Sequence, residues 1–108
     1  MTLESLYTIL NSISTFSGKV AYNTFPVGDV PSLPFIVYLE TGLNAFSADG
    51  ITYFSTKKVD IELYEESRNA GNESLIEAAL NNAGIYFGKS STWLEDEKCF
   101  EIIYTIEV

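Results

Sequence analysis

Between Thr56 and Glu66 the chain reads Thr-Lys-Lys-Val-Asp-Ile-Glu-Leu-Tyr-Glu-Glu, so that Val59, Ile61 and Leu63 alternate with Lys58, Asp60, Glu62 and Tyr64. Two-residue alternation is the period of a strand with one face buried and the other in water. A helix needs apolar residues three and four apart, which this run lacks. Apolar stretches lie before it (Phe35 to Leu39) and after it (Phe100 to Val108). The run therefore predicts a central strand around which the rest must be built.

The flanking segments supply the other layers. Residues 2–13 predict an amphipathic helix, with Thr2 as cap, Glu4 at the positive end of the dipole, and Leu3, Leu6, Tyr7, Leu10 and Ile13 on one stripe. Lys19–Phe25 predicts a first strand. Pro26, Pro31 and Pro34 with Gly28 then exclude regular structure up to Phe35, the start of a second strand running to Glu40. Residues 41–55 mix Gly42, Asn44, Asp49 and Gly50 with Leu43, Phe46, Ile51, Tyr53 and Phe54. This is too long for a hairpin turn, and it predicts an arm into which the second and third strands extend.

After the central strand, Ser67–Gly71 predicts a polar turn and Asn72 the cap of a second helix. Its buried stripe is expected at Leu75, Ile76, Ala79, Leu80 and Ala83, with Glu73 and Glu77 in water and Gly84 as the stop. Ile85–Phe87 predicts a brief strand and Gly88–Asp96 a loop. Glu97–Val108 closes as a strand with Phe100, Ile102, Tyr104, Ile106 and Val108 on one face. The order is α-β-β-β-α-β. It predicts an α+β fold for residues 1–108 as a single domain, a mostly antiparallel sheet with two helices packed on one face and a long hairpin arm at 41–55.

Charge and missing residue types bound the chemistry. Six Lys and Arg against fifteen Asp and Glu give a net charge of −9, which repels nucleic acid and anionic membrane surfaces. Sequence-specific DNA or RNA binding is not expected on that ground, while passage of DNA without sticking is compatible with it. No apolar run approaches the roughly 18 residues of a membrane span, and no signal peptide is expected. The absence of histidine removes Ser-His and Cys-His nucleophile pairs. A lone cysteine, Cys99, offers no thiolate zinc site and predicts a reducing compartment. No phosphate-binding glycine loop is present. Two carboxylate runs remain, Glu65-Glu66 and Glu95-Asp96-Glu97. Neither has the spaced oxygen ligands of a calcium loop, so both predict solvated surface. The expectation is a protein without cofactor or catalytic residues. A small carboxylate-based enzyme or ligand-binding domain is the less favoured alternative.

Aromatic residues in segments that cannot easily bury them point to contact with other subunits. Phe46, Tyr53 and Phe54 on the arm are the expected interface residues. Trp93 in the polar 88–96 segment divides between interface anchor and packing over the edge of the chain's own core.

The layout also carries a family likeness. Leu6-Tyr7 on a short first helix, Val20-Ala-Tyr-Asn-Thr-Phe-Pro26, Pro31-Ser-Leu-Pro-Phe-Ile-Val-Tyr38, Val59-Asp-Ile-Glu-Leu-Tyr64, Glu77 to Leu80, Trp93-Leu94 and Phe100-Glu-Ile-Ile-Tyr104 span nearly the whole chain. In this phrasing the chain resembles the small tail-completion or tail-terminator proteins of long-tailed bacteriophages and prophages of Gram-positive bacteria. The resemblance implies a virion protein of the neck, assembled in the host bacterial cytoplasm. It implies a homo-oligomeric ring, commonly a hexamer, that caps the tail tube, stops its growth and joins it to the head connector. A head-completion or stopper protein of the same junction is the alternative it leaves open. DNA would pass through such a ring without being bound. Glu62, Glu65, Glu66 and Glu101, on strand positions expected to be exposed, are the candidate acidic residues for its lumen.

Overall fold

A computed structural model describes residues 1–48 and 50–108, with side chains for all of these except 46–48 and 51–54. In chain order the elements are α1 (Leu3–Asn11), a 3-10 turn (Ser14–Phe16), β1 (Val20–Tyr22), β2 (Phe35–Ala48), β3 (Ile51–Glu65), α2 (Ala70–Asn82), β4 (Phe87–Leu94) and β5 (Cys99–Glu107). The five strands make one sheet in the order β1-β2-β3-β5-β4. β1 runs parallel to β2, and every other pairing is antiparallel. The fold is thus α+β, with the alternating run at its centre as β3.

Register turns the alternation into a layered core. Val59, Ile61 and Leu63 of β3 face the same side as Ile36 and Tyr38 of β2 and Ile102, Tyr104 and Ile106 of β5. Leu6 and Leu10 of α1, Phe16, and Ile76 and Leu80 of α2 cover that side, and all five are fully buried. Both helices therefore lie on one face. Thr2 caps α1 by accepting from the Ser5 amide at 3.0 Å. α2 ends as its glycine predicts: Gly84 has φ +73°, its amide donates to the Asn81 carbonyl, and the Ile85 amide reaches the Leu80 carbonyl at 2.9 Å. Leu80 and Ile85 then meet in the core, as the left-handed helix terminus favours.

Three expectations are corrected. β1 is shorter than Lys19–Phe25, because Asn23 takes φ 68° and turns the chain out of the sheet. The cap of α2 is Asn69, whose Oδ1 accepts from the Asn72 amide at 3.2 Å, so the helix starts two residues before Asn72. Its inward stripe is accordingly Glu73, Ile76 and Leu80, whereas Leu75 and Ala83 are exposed and Glu73 is buried. The segment 88–96 is largely strand, since residues through Leu94 belong to β4.

β2 and β3 outrun the sheet that holds them. β1 accompanies β2 only from Ile36 to Tyr38, and β5 accompanies β3 only from Lys58 onward, with Val108 bonded to Lys57. Past those points the two strands pair with each other alone and form the expected hairpin arm. A register shift at Glu40/Gly42 leaves Thr41 as an extra residue where the arm departs.

Candidate assembly surfaces

The expected interface residues fall into two places. Phe46, Tyr53 and Phe54 lie on the arm, and their side chains are outside those described. Nearer the root of the arm, Leu43 is 59% exposed. Asn44 and Thr56 donate to the two carboxylate oxygens of Glu107, at 2.6 and 3.1 Å, which ties the arm's base to β5.

Trp93 sits on β4 and packs over the edge of the chain's own core. Its ring meets Phe100 edge-on at 4.8 Å, and its Nε1 donates to Glu95 at 2.6 Å, yet 42% of it remains exposed. β4 itself is held on the helix side by charge rather than by grease. Lys89 projects inward to Glu73 at 2.8 Å and Glu77 at 2.7 Å, over the Tyr104 ring at 5.7 Å. Arg68 adds a two-point clasp on Glu73, at 2.9 and 3.0 Å, and reaches Ser91 at 3.3 Å. Tyr104 donates to Glu77 at 2.9 Å. The Arg68 bond, reinforced by Lys89, holds the Glu73 carboxyl down at about 2 despite its burial. This buried network had only one sequence signal, the i, i+4 pair of Glu73 and Glu77 on a helix face.

The four acidic residues expected on a lumen do not act alike. Glu62 and Glu101 lie on the face away from the helices, half-buried and bridged by Tyr64. The tyrosine hydroxyl is 3.0 Å from Glu62 and 2.7 Å from Glu101. It has one proton to donate, so only one carboxylate is served at a time. Burial pushes the Glu62 carboxyl above the usual range, the Tyr64 bond opposes this, and the charges of Glu101 and Asp60 add to it. Phe25 and Phe35 wall this patch, with Phe35 5.2 Å from the Tyr64 ring and 5.3 Å from Phe25. Glu66 is exposed just beyond β3.

Glu65 is a correction. It is 1% exposed and shares the inward phase of Val59, Ile61 and Leu63, so it lies under the helices and cannot line a channel. Among the described residues one of its oxygens has no hydrogen-bond partner, and the other accepts from the Asn69 amide at 3.5 Å. Burial raises its pKa, and the nearby Glu73 charge adds to the effect.

Among the described residues no cluster of His, Cys, Asp or Glu is arranged to hold a metal ion. No helix among the described residues is long and apolar enough to cross a membrane. A cleft of about 660 Å³, open to solvent, lies where the end of α2 meets β4 and β5 and is lined by Tyr86, Phe87 and Ile106. The Glu95-Asp96-Glu97 run lies in the exposed turn between β4 and β5, with Lys98 2.6 Å from Glu95.

No family model matches the sequence, and no curated protein matches it. Among solved structures, the chain is similar to one described as the virion of a native gene transfer agent particle, with a TM-score of 0.68 and 14% sequence identity. The likeness covers 97% of this chain and 91% of that one, so arm, sheet and helices together form a fold found in a virion chain.

Proposed function

We propose that this protein is a structural component of a phage-like virion, a ring-forming neck protein that caps the tail tube and joins it to the head connector. The observation that carries the reading is the likeness to a chain of a virion particle over 97% of the sequence. The family resemblance in the sequence favours the tail terminator, with a head-completion or stopper protein of the same junction as the alternative. The projecting arm gives it a means. A ring needs head-to-tail contacts that close by rotation, and an element that outreaches its own sheet is suited to contact a neighbour. The net charge of −9 would let DNA move through the ring without adhering. In this reading the protein works by docking, without turnover: one face of the ring matches the tube subunit, the other does not, and growth ends.

The test is to add purified protein to polymerising tube subunits and measure tube lengths by electron microscopy. Shorter tubes of narrow length distribution are expected. Lengths unchanged at saturating protein would overturn the terminator role.

A further inference from the structure

The sheet ends in two edges, and they are not equivalent. β1 is three residues long, and the turn at Asn23 removes the chain immediately after it. Its edge offers little to pair with. β4 is eight residues long, and among the described residues no strand lies beyond it. Folded proteins guard such an edge with proline, bulges or charges, because unpaired amides and carbonyls template pairing with another chain. β4 contains no proline, and its pairing with β5 runs from Phe87 to Leu94 without a register shift. Its single charge, Lys89, is drawn inward onto Glu73 and Glu77. Gly88, Ser90 and Thr92 are small, uncharged and exposed, and Trp93 stands half-exposed near the end of the strand.

The second element is the arm, bulged at its Thr41 root and shifted in register at Phe46/Ser47 but nearly free of charge. From Thr41 to Thr56 the sequence carries one charged residue, Asp49. Two copies of a chain with net charge −9 repel each other over most of their surface. On the arm, with its single charge, and on the β4 edge, whose only charge is turned inward, that repulsion is weak. The two also match in length. β2 continues from Leu39 to Ala48 beyond its pairing with β1, enough to lie along the eight residues of β4.

From this we infer that the β4 edge is the receiving site for the hairpin arm of a second copy, which adds to the sheet as a further strand with Trp93 as its side-chain anchor. The inference rests on the ring reading and specifies its interface. The two halves are different surfaces, so each copy gives an arm and accepts one. β-Strand addition supplies main-chain hydrogen bonds for affinity, and exposed aromatic residues supply a fixed point.

Complementation tests it. One variant lacks the donor half, with residues 45–55 replaced by an Asn-Gly turn. The other blocks the acceptor half with Ser90→Lys and Thr92→Lys, both at exposed positions, and circular dichroism checks that each variant is folded. Mass is read by light scattering and by chemical cross-linking at high protein concentration. The wild type is expected to assemble, each variant alone to stay monomeric, and the mixture to stop at dimers of one variant with the other. In the assembled wild type, amides of 87–94 should exchange more slowly than in the monomer and those of 20–22 should not. A wild type that never assembles would overturn the ring reading itself. Assembly by the Ser90→Lys/Thr92→Lys protein at wild-type level, with unchanged exchange in β4, would leave the ring standing and overturn the assignment of its interface.

Discussion

Glu73→Gln tests whether the charged network between α2 and β4 stabilises the fold. The carboxyl goes from an ordinary 4.5 to about 2 on folding. A difference of that size corresponds to about 3 kcal/mol favouring the folded protein at neutral pH. Its side chain is only 5% exposed, but those of Arg68 and Lys89 are 45% and 34% exposed, so water screens part of the interaction. A loss of about 2 kcal/mol is expected for the variant at pH 7, roughly a 10 °C fall in melting temperature for a domain of this size. The folded pKa is depressed, so the contribution is complete above the unfolded value. It fades as pH falls from about 4.5 towards about 2. Urea unfolding of both proteins across that range should show the gap closing near its lower end. A gap below about 0.5 kcal/mol at pH 7, or one of constant size down to pH 2, would refute the reasoning.

Glu65→Gln should act in the opposite direction. Folding raises this carboxyl's pKa, so its ionised form is a penalty at pH 7 that is relieved as pH falls through the folded value. The variant should melt higher than wild type at pH 7 and lose that advantage towards pH 4; thermal melts at both pH values check this. Ile61→Ala, at a fully buried position in the middle of β3, should cost about 2–5 kcal/mol by urea unfolding with an unchanged m-value.

How much was legible depended on what held each element. β3, β5 and α1 are held by apolar side chains at strand or helix spacing, and their inward faces emerge as read except at Tyr7, which is exposed. The alternation also held the place of Glu65, which has the parity of Val59, Ile61 and Leu63; its charge suggested a surface that its phase denies. β4 was hidden for a related reason. Its inward positions are Phe87, Lys89, Ser91 and Trp93, and two of these four are docked by ions and hydrogen bonds rather than by burial of hydrocarbon. No hydrophobic period marks such a strand. Glu73 follows from the same network, since its inward turn makes sense only once Arg68 and Lys89 are beside it. The arm was legible as an extension because its glycines and aromatics fit neither a helix nor a short turn.

The strand order has a consequence for folding. β5 follows β4 in the chain yet is inserted between β3 and β4, and Val108 bonds to Lys57 at the root of the arm. Until β5 docks, β4 lacks the strand it pairs with, and the base of the arm lacks its bonds to Glu107 and Val108. Presentation of the arm is thereby coupled to closure of the sheet by topology alone.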